Sequence, residues 1–526
     1  MSAARAIRKV LIANRGEIAI RIARACRELG IPSVAVYSDA DGRAPHARAA
    51  DEAVHIGPAP SAESYLRGDR LIEAARRTGA DAIHPGYGFL SEREWFARAV
   101  RDARLTFIGP PAEAIAAMGS KTAARTLVSA AGVPVVPGTT EALRDADEAR
   151  GLAARFGYPV LLKAAAGGGG RGMRVVREAS ELAPALDAAR REAKNAFGDD
   201  AVYVEKYIVG PRHVEIQVLG DHHGTMLSLN ERECSVQRRH QKMIEEAPSI
   251  AVTPALRSAM GEQAVRAARA AGYVNAGTCE FLLDQDGKFY FLEMNTRIQV
   301  EHPVTELVTG IDLVQWQIRI AAGERLPFTQ AEIVPRGWAM ECRITSEDPA
   351  NGFLPSTGVI RHVRIPGGPG VRWDGGIEAG SEVGLYYDPM LAKLIVWAPT
   401  REAAIDRMHR ALLELTIEGV DTSRDFHLRV MEDAEFRAGA IGIQWLEERL
   451  ESLLAVQAPE ETRRVAAVVG ALLAERDRAA PRRSGAHAAG GSPGNGTTSA
   501  NGGANEAGSD GALSEWTRIG RMDTLR

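Results

Sequence analysis

Only four cysteines occur in 526 residues, at Cys26, Cys234, Cys279 and Cys342, and no two form a Cys-x-x-Cys pair. That excludes a disulfide framework or a zinc ribbon and reads as buried thiols in a reducing compartment. No uninterrupted apolar run is long enough to span a bilayer. The N-terminal MSAARAIRKVLIANRGE meets charge and a turn too early for a secretory leader, so the expected location is the cytoplasm. An excess of one charge is missing as well. Lys+Arg 64 against Asp+Glu 68 leaves −4, which gives no reason to expect a nucleic-acid or membrane partner. The dinucleotide fingerprint Gly-x-Gly-x-x-Gly is absent from the first βα turn, which reads Asn14-Arg15-Gly16-Glu17. Walker A is absent too, because the glycine run at 167–170 leads into Arg-Gly and a strand, not Lys-Ser/Thr and a helix.

Lysine is the most informative shortage. Only Lys9, Lys121, Lys163, Lys194, Lys206, Lys242, Lys288 and Lys393 stand among 64 basic residues. Arginine serves wherever a generic surface cation will do, so the remaining lysines mark places that call for a compact ammonium.

What is present is a multidomain α/β chain, since this length exceeds one hydrophobic core. KVLIANRGEIAIRIARACRELGIPSVAVYSD reads as strand, turn, amphipathic helix and strand, a parallel βαβ opening, so residues 1–118 are expected to form a Rossmann-like layer domain. From 119 to 335 the texture changes to short strands, hairpins and helices, and 336–450 is rich in Gly, Pro and β-formers. ETRRVAAVVGALLAERDRA gives a helical extension within 451–483. Residues 484–512 are nearly devoid of large apolar side chains and read as a flexible linker. In 513–526, Leu513, Trp516, Ile519, Met522 and Leu525 recur at constant spacing, which suits either a docking peptide or a disordered end.

FLEMNTRIQVEHPVTE carries the chemistry. On an extended strand, Glu293, Asn295, Arg297, Gln299 and Glu301 would form one polar row backed by Met294, Thr296, Ile298 and Val300. Upstream, GTCEFLLDQDGKFYFLEMNTR reads as a hairpin around a two-residue Asp286-Gly287 turn, a register that sets Glu280 opposite Glu293. Two like charges there need a cation between them. With Asn295 added, the all-oxygen donor set suits Mg²⁺; the bland alternative is a solvated strand face. Arg297 offers a fork for a small anion, and Glu301 a base.

YPVLLKAAAGGGGRGMRVVRE reads as a strand-loop-strand flap whose backbone N–H groups close on phosphate, with Lys163 just before it; a plain flexible turn is the alternative. Lys121 opens a helix capped by Ser120. Glu205, Lys206 and His213 lie in VYVEKYIVGPRHVEIQVLGD, and ERECSVQRRHQKMIEEAP is dense in charge.

Together these segments, with IANRGEIAIRI, HPGYGFLSE, ECRITSEDP and YYDPMLAKLIVW, resemble the biotin carboxylase component of the biotin-dependent carboxylases, an ATP-grasp family, over about residues 7–450. The resemblance implies a biotin carboxylase N-terminal domain at 1–118, an ATP-grasp domain at 119–335 with a mobile Gly-rich lid at about 136–207, and a mixed α+β C-terminal domain at 336–450. It implies ATP ligands at Lys121, Lys163, Gly168, Gly169, Gly170, Glu205, Lys206, Ile208, His213, Gln237 and His240, and a Mg²⁺ site, open also to Mn²⁺, at Glu280, Glu293 and Asn295. Bicarbonate and biotin would meet Tyr87, His240, Lys242, Arg297, Gln299, Val300 and Arg343, with Glu301 as base and Arg343 stabilising the biotin enolate.

No Met-Lys-Met biotin acceptor occurs, so biotin is expected on a separate carrier protein and the acyl substrate on a carboxyltransferase subunit, with the chain itself a homodimer. The acceptor would be acetyl-CoA or propionyl-CoA. Pyruvate, another ATP-grasp ligase activity, and a non-catalytic ATP-binding scaffold are the alternatives. Two departures from the family pattern are Ala166 beside the glycine run and Arg424-Asp425 in GVDTSRDFHLRV, where a local loop is expected to differ.

Overall fold

A computed structural model describes residues 6–139, 142–164, 173–197, 200–455 and 460–479. It divides into two units, 1–456 and 457–526. The first unit opens with five parallel strands, β1 (Val10–Ile12), β2 (Ser33–Ser38), β3 (Glu52–Gly57), β4 (Ala82–His84) and β5 (Thr106–Phe107), ordered β3-β2-β1-β4-β5. Helix α1 (Gly16–Glu28) follows β1 through the Asn14-Arg15 turn, as the βαβ reading expects. Its apolar stripe, Ile18, Ile22 and Cys26, joins a buried cluster with Ile298, Leu313 and Ile318, so α1 is packed against the segment that carries the polar row.

A small antiparallel sheet follows, β6 (Val160–Ala164), β7 (Met173–Val176) and β8 (Val202–Lys206), ordered β7-β6-β8 and backed by helices Ala146–Phe156 and Ala179–Phe197. Strands β6 and β7 make the strand-loop-strand expected of the flap. The loop itself, with Gly168, Gly169, Gly170 and the Ala166 departure, lies outside the described residues. Helix α2 (Lys121–Ala130) starts where expected, its Ser120 hydroxyl accepting from Ala123 N.

The main body is an eight-stranded antiparallel sheet. Its strands are β9 (Arg212–Gly220), β10 (Met226–Arg238), β11 (Gln241–Ala247), β12 (Asn275–Leu283), β13 (Phe289–Asn295), β14 (Trp338–Thr345), β15 (Val371–Gly375) and β16 (Met390–Ala398), ordered β13-β12-β9-β10-β11-β14-β16-β15. The sheet runs without a break across position 335, because β14 pairs with β11 on one side and β16 on the other. Helix α3 (His302–Thr309) lies on one face of this sheet, and α4 (Arg401–Glu414) and α5 (Arg424–Glu432) cover the opposite core. The sequence GVDTSRDFHLRV enters α5, with Arg424 Nε donating to Leu412 O at 2.8 Å.

Two expectations for the polar row need correction. The β12–β13 connection is a three-residue loop, Gln285 to Gly287, closed by Asp284 N to Lys288 O at 2.8 Å, with Gly287 at φ +80°. A three-residue hairpin needs a left-handed third residue, and glycine supplies it. The one-residue offset this creates is cancelled by a bulge at Leu292, between the pairs Phe281–Phe291 and Glu280–Glu293, so Glu280 still faces Glu293. The row is also not one strand. β13 ends at Asn295, and Arg297, Gln299 and Glu301 ride on an irregular segment leading into α3.

In the second unit Glu460–Ala479 is helical, as expected, with Val465, Val468, Val469 and Leu472 exposed. The linker at 484–512 and the peptide at 513–526 lie outside the described residues. Among those described, all four cysteines are free and buried, and no helix is long and apolar enough to cross a membrane.

Candidate active site

Although the row is irregular, its side chains converge. Glu280 Oε1 accepts from Asn295 Nδ2 at 2.7 Å, Gln299 Nε2 at 3.1 Å and Lys242 Nζ at 3.0 Å. Its other oxygen lies 3.0 Å from His213 Nε2. Gln237 Nε2 donates to His213 Nδ1 at 2.7 Å, which leaves the proton on Nε2 facing Glu280. Arg297 donates to Gln299 Oε1 at 2.6 Å and Asn295 Oδ1 at 3.1 Å. The cations demanded by the facing carboxylates are therefore present on both sides: Lys242 at Glu280, where the His213 Nε2–H adds a donor, and Lys121 Nζ, 3.0 Å from Glu293 Oε2.

Burial works to neutralise Glu280, but Lys242 and His213 outweigh it and hold the carboxyl well below the usual range. Glu293, half-buried, lines a cleft of about 480 Å³ with Gly88, Phe89, Glu92, Lys121 and Asn295. An ionised carboxylate, a second at the rim of a solvated cleft and a neighbouring amide form a donor set of the kind a hard divalent cation takes, with the Asn295 oxygen here turned to Arg297 and its nitrogen to Glu280.

Lys242, on β11, is the hub. Its ammonium contacts Glu215 Oε2 at 2.6 Å, Glu280 Oε1 at 3.0 Å and Glu301 Oε1 at 2.7 Å. Desolvation by itself would lower its pKa, and the three carboxylates overcome this and raise it well above the ordinary value. Glu301 is 0% exposed and is also met by Arg343 Nη2 at 2.9 Å on its second oxygen. Burial would raise its pKa; Lys242, Arg343 and Arg232 reverse that and hold it well below the carboxylate range. Arg343 in turn donates to Glu245 at 2.6 Å. Behind them Arg232, fully buried, bonds Glu215, Gln217, Thr278 and Thr305.

Further along the small sheet, Lys163 and Glu205 pair at 2.5 Å across β6 and β8, and Arg125 also contacts Glu205. Lys206 N donates to Pro137 O at 2.7 Å, while its ammonium bonds the Gly157 and Tyr158 carbonyls. Ile208 is half-buried just past β8. His240 stands apart from these groups, exposed at the tip of the β10–β11 hairpin. Both turn residues, Arg239 and His240, have positive φ (+48° and +64°), a strained conformation for side chains other than glycine. Tyr87 donates its hydroxyl to Glu17, and Val300 offers its carbonyl to Lys393 Nζ at 2.9 Å.

Several partners escaped the sequence reading. Glu215 and Arg232 sit in strands that read only as charged. Glu92, inside the quoted HPGYGFLSE, accepts from Arg297 Nε at 3.0 Å and from Thr296 N at 3.0 Å. Lys393 and Glu17 carried a signal, a rare lysine and a motif acid, but no stated role.

Comparison with known proteins matches this architecture. Residues 6–115 match the model "Biotin carboxylase, N-terminal domain", 120–329 "Carbamoyl-phosphate synthase L chain, ATP binding domain" and 341–448 "Biotin carboxylase C-terminal domain". Biotin carboxylase 1 of Bacillus subtilis is 51% identical over 442 residues, 84% of this chain and 98% of that protein. A pyruvate carboxylase subunit of Methanothermobacter thermautotrophicus is 54% identical over 441 residues, 84% of this chain and 89% of that protein. The biotin carboxylase domain dimer of Hydrogenobacter thermophilus 2-oxoglutarate carboxylase, solved with MgADP, ADP and bicarbonate, superposes with a TM-score of 0.78. It shares 49% identity and covers 86% of this chain and 99% of that one.

Proposed function

The chain belongs to the biotin carboxylase family, and from that premise we propose that it carboxylates biotin held on a separate carrier protein, using ATP and bicarbonate. The observation that carries this reading is Glu301: a fully buried carboxylate with Lys242 on one oxygen and Arg343 on the other. A base in that setting needs an anionic substrate to draw its cations away.

Bicarbonate is such a substrate. Its negative charge meets the Arg297 fork and competes for Lys242 and Arg343, and each contact it takes from the last two weakens the hold on Glu301 and raises its basicity. Glu301 then removes the bicarbonate proton as the bicarbonate oxygen attacks the γ-phosphorus and the bond to ADP breaks, giving carboxyphosphate. Lys121 and Lys163 neutralise phosphate charge, and Glu205, Lys206, Ile208, His213 and Gln237 bind the nucleotide. Glu280, Glu293 and Asn295 hold Mg²⁺, which when bound offsets charge on the phosphates. The segment 136–207 acts as the lid that excludes water from the site; its glycines 168–170 lie outside the described residues. Carboxyphosphate cleaves to CO₂ and phosphate; the phosphate takes the biotin N1 proton, and the enolate, paired with Arg343 and placed by Tyr87, attacks CO₂ to form the N–C bond.

In this reading residues 1–118, 119–335 and 336–450 are the three functional domains. The chain works as a homodimer in the cytoplasm, with a carboxyltransferase subunit that hands the carboxyl to acetyl-CoA or propionyl-CoA. Pyruvate is the alternative acceptor: a pyruvate carboxylase subunit shares 54% identity, beside 51% for a 2-oxoglutarate carboxylase subunit and 49% for a propionyl-CoA carboxylase chain. Reconstitution with a biotin carrier and carboxyltransferase and each acceptor in turn discriminates them. The half-reaction itself is tested by phosphate release from ATP with Mg²⁺, bicarbonate and biotin omitted in turn. Release that needs both bicarbonate and biotin supports it; release indifferent to biotin points to another ATP-grasp ligase, and binding without turnover to a scaffold.

A further inference from the structure

Lys393 is one of eight lysines and the one with no exposed surface. It lies on β16 directly opposite Arg343 on β14, and opposite Asp374 on β15. Two cations in one cross-strand pair repel unless each has its own acceptors. Arg343 finds Glu245 and Glu301. Lys393 turns to a different set: Val300 O at 2.9 Å and Glu17 Oε1 at 3.2 Å, with the Tyr87 ring centroid 5.9 Å away.

These acceptors come from separate stretches of chain. Glu17 is in the first turn of α1, Val300 immediately precedes Glu301, and Tyr87 follows β4. Glu17 Oε1 accepts from the Tyr87 hydroxyl as well as facing the ammonium, so these two donors share one oxygen. Gly376 makes the approach sterically feasible: a Cβ there would stand 2.9 Å from Glu17 N. The segment from Thr296 to Glu301 has no ladder to hold it. Its backbone bonds are Thr296 N to Glu92, Arg297 Nη1 to Ile298 O, His302 to Gln299 O, and Lys393 Nζ to Val300 O, the one next to Glu301.

We propose that Lys393 is a positioning residue that couples the two ends of the site. Through Val300 its ammonium fixes the backbone carrying Glu301, and through Glu17 it fixes the Tyr87 hydroxyl where the biotin ring is placed. The inference rests on the roles assigned above to Glu301 and Tyr87. A fully buried ammonium is otherwise costly, and arginine, the residue this chain uses elsewhere, cannot replace it. A tetrahedral ammonium serves two oxygens from one point, whereas a guanidinium spreads its donors over a wider planar fork.

Removing Lys393 alone leaves Glu17 buried and unpaired, so the decisive variant removes both charges, Lys393→Met with Glu17→Leu, which keeps an apolar volume in place. The full chain is assayed for folding by circular dichroism, for ATP binding by calorimetry, and for biotin-dependent phosphate release. The expected result is a folded double variant with ATP affinity within about twofold of the parent and kcat/KM for biotin at least about tenfold lower. Tyr87→Phe should lower the parent's kcat/KM but change the double variant by less than about twofold, because its hydroxyl has already lost its anchor. Lys393→Arg should not restore the rate. Unchanged biotin kinetics in the double variant, a full multiplicative effect of Tyr87→Phe on it, or an equal loss of ATP binding each overturns the coupling. A parent chain whose phosphate release ignores biotin overturns the proposed function, and the coupling with it.

Discussion

Lys242 Nζ stands 2.7 Å from Glu301 Oε1, and water reaches neither oxygen of that carboxylate, because Arg343 caps the other at 2.9 Å. A carboxylate so held is ionised but a poor base. The resting site is therefore balanced for an incoming anion, whose binding redistributes the cations.

Glu301→Gln preserves shape and removes the base, at the cost of turning an amide N–H₂ toward Lys242 or Arg343 where a carboxylate oxygen accepted. Phosphate release dependent on bicarbonate should fall by about 10²–10⁴-fold, with ATP affinity within about twofold. Steady-state kinetics beside calorimetric titration checks both; a drop below tenfold would show that another group takes the proton.

Lys242→Met has a different signature. Glu215, Glu280 and Glu301 all lose their shared cation, and breaking a buried pair costs about 3–5 kcal/mol, so activity and stability should fall together. Urea denaturation reads the stability loss. A folded, equally stable variant would mean that Arg232 and Arg343 suffice for these carboxylates.

Glu293 is half-exposed and bonded to the flexible Lys121, so Glu293→Gln should barely alter thermal stability. It should raise the Mg²⁺ concentration for half-maximal phosphate release by about tenfold, a loss of about 1.4 kcal/mol of binding. A Mg²⁺ titration identical to the parent's would remove Glu293 from the metal site.

His427 supplies a pH test. Its Nε2 donates to Arg343 O at 2.8 Å, and burial lowers its pKa to about 4. The folded value lies below the unfolded one of about 6.5, so the neutral ring's contribution is complete above pH 6.5 and lost as pH falls from there toward 4. The stability of the parent minus that of His427→Gln, which keeps a donor but does not titrate, should be flat above pH 7. Below 6.5 it should fall by about 1.4 kcal/mol per pH unit. A constant difference down to pH 4 would contradict the buried neutral assignment.

Much of this was legible in the sequence. The βαβ opening, the flap strands and the Ser120 cap follow from local pattern, and the pairing of Glu280 with Glu293 was read correctly although the turn was not. That success has a physical reason: the longer loop and the Leu292 bulge each shift the register by one, in opposite senses. The end of β13 at Asn295 was not legible, because Glu92, 204 positions away, draws Thr296 N out of the strand. Glu215 and Arg232 carry no signal in sequence beyond their charge; only the sheet shows them paired with each other, with Glu215 bonded to Lys242. Lys393 was marked by rarity alone, and its partners lie on distant elements that only the assembled fold brings together.

The most direct test is transfer of isotopic carbon from bicarbonate to biotin by the purified chain in the presence of ATP and Mg²⁺. The account predicts an acid-labile labelled biotin whose formation requires ATP and disappears in Glu301→Gln. Phosphate release without label on biotin, or labelling that survives loss of Glu301, would contradict it.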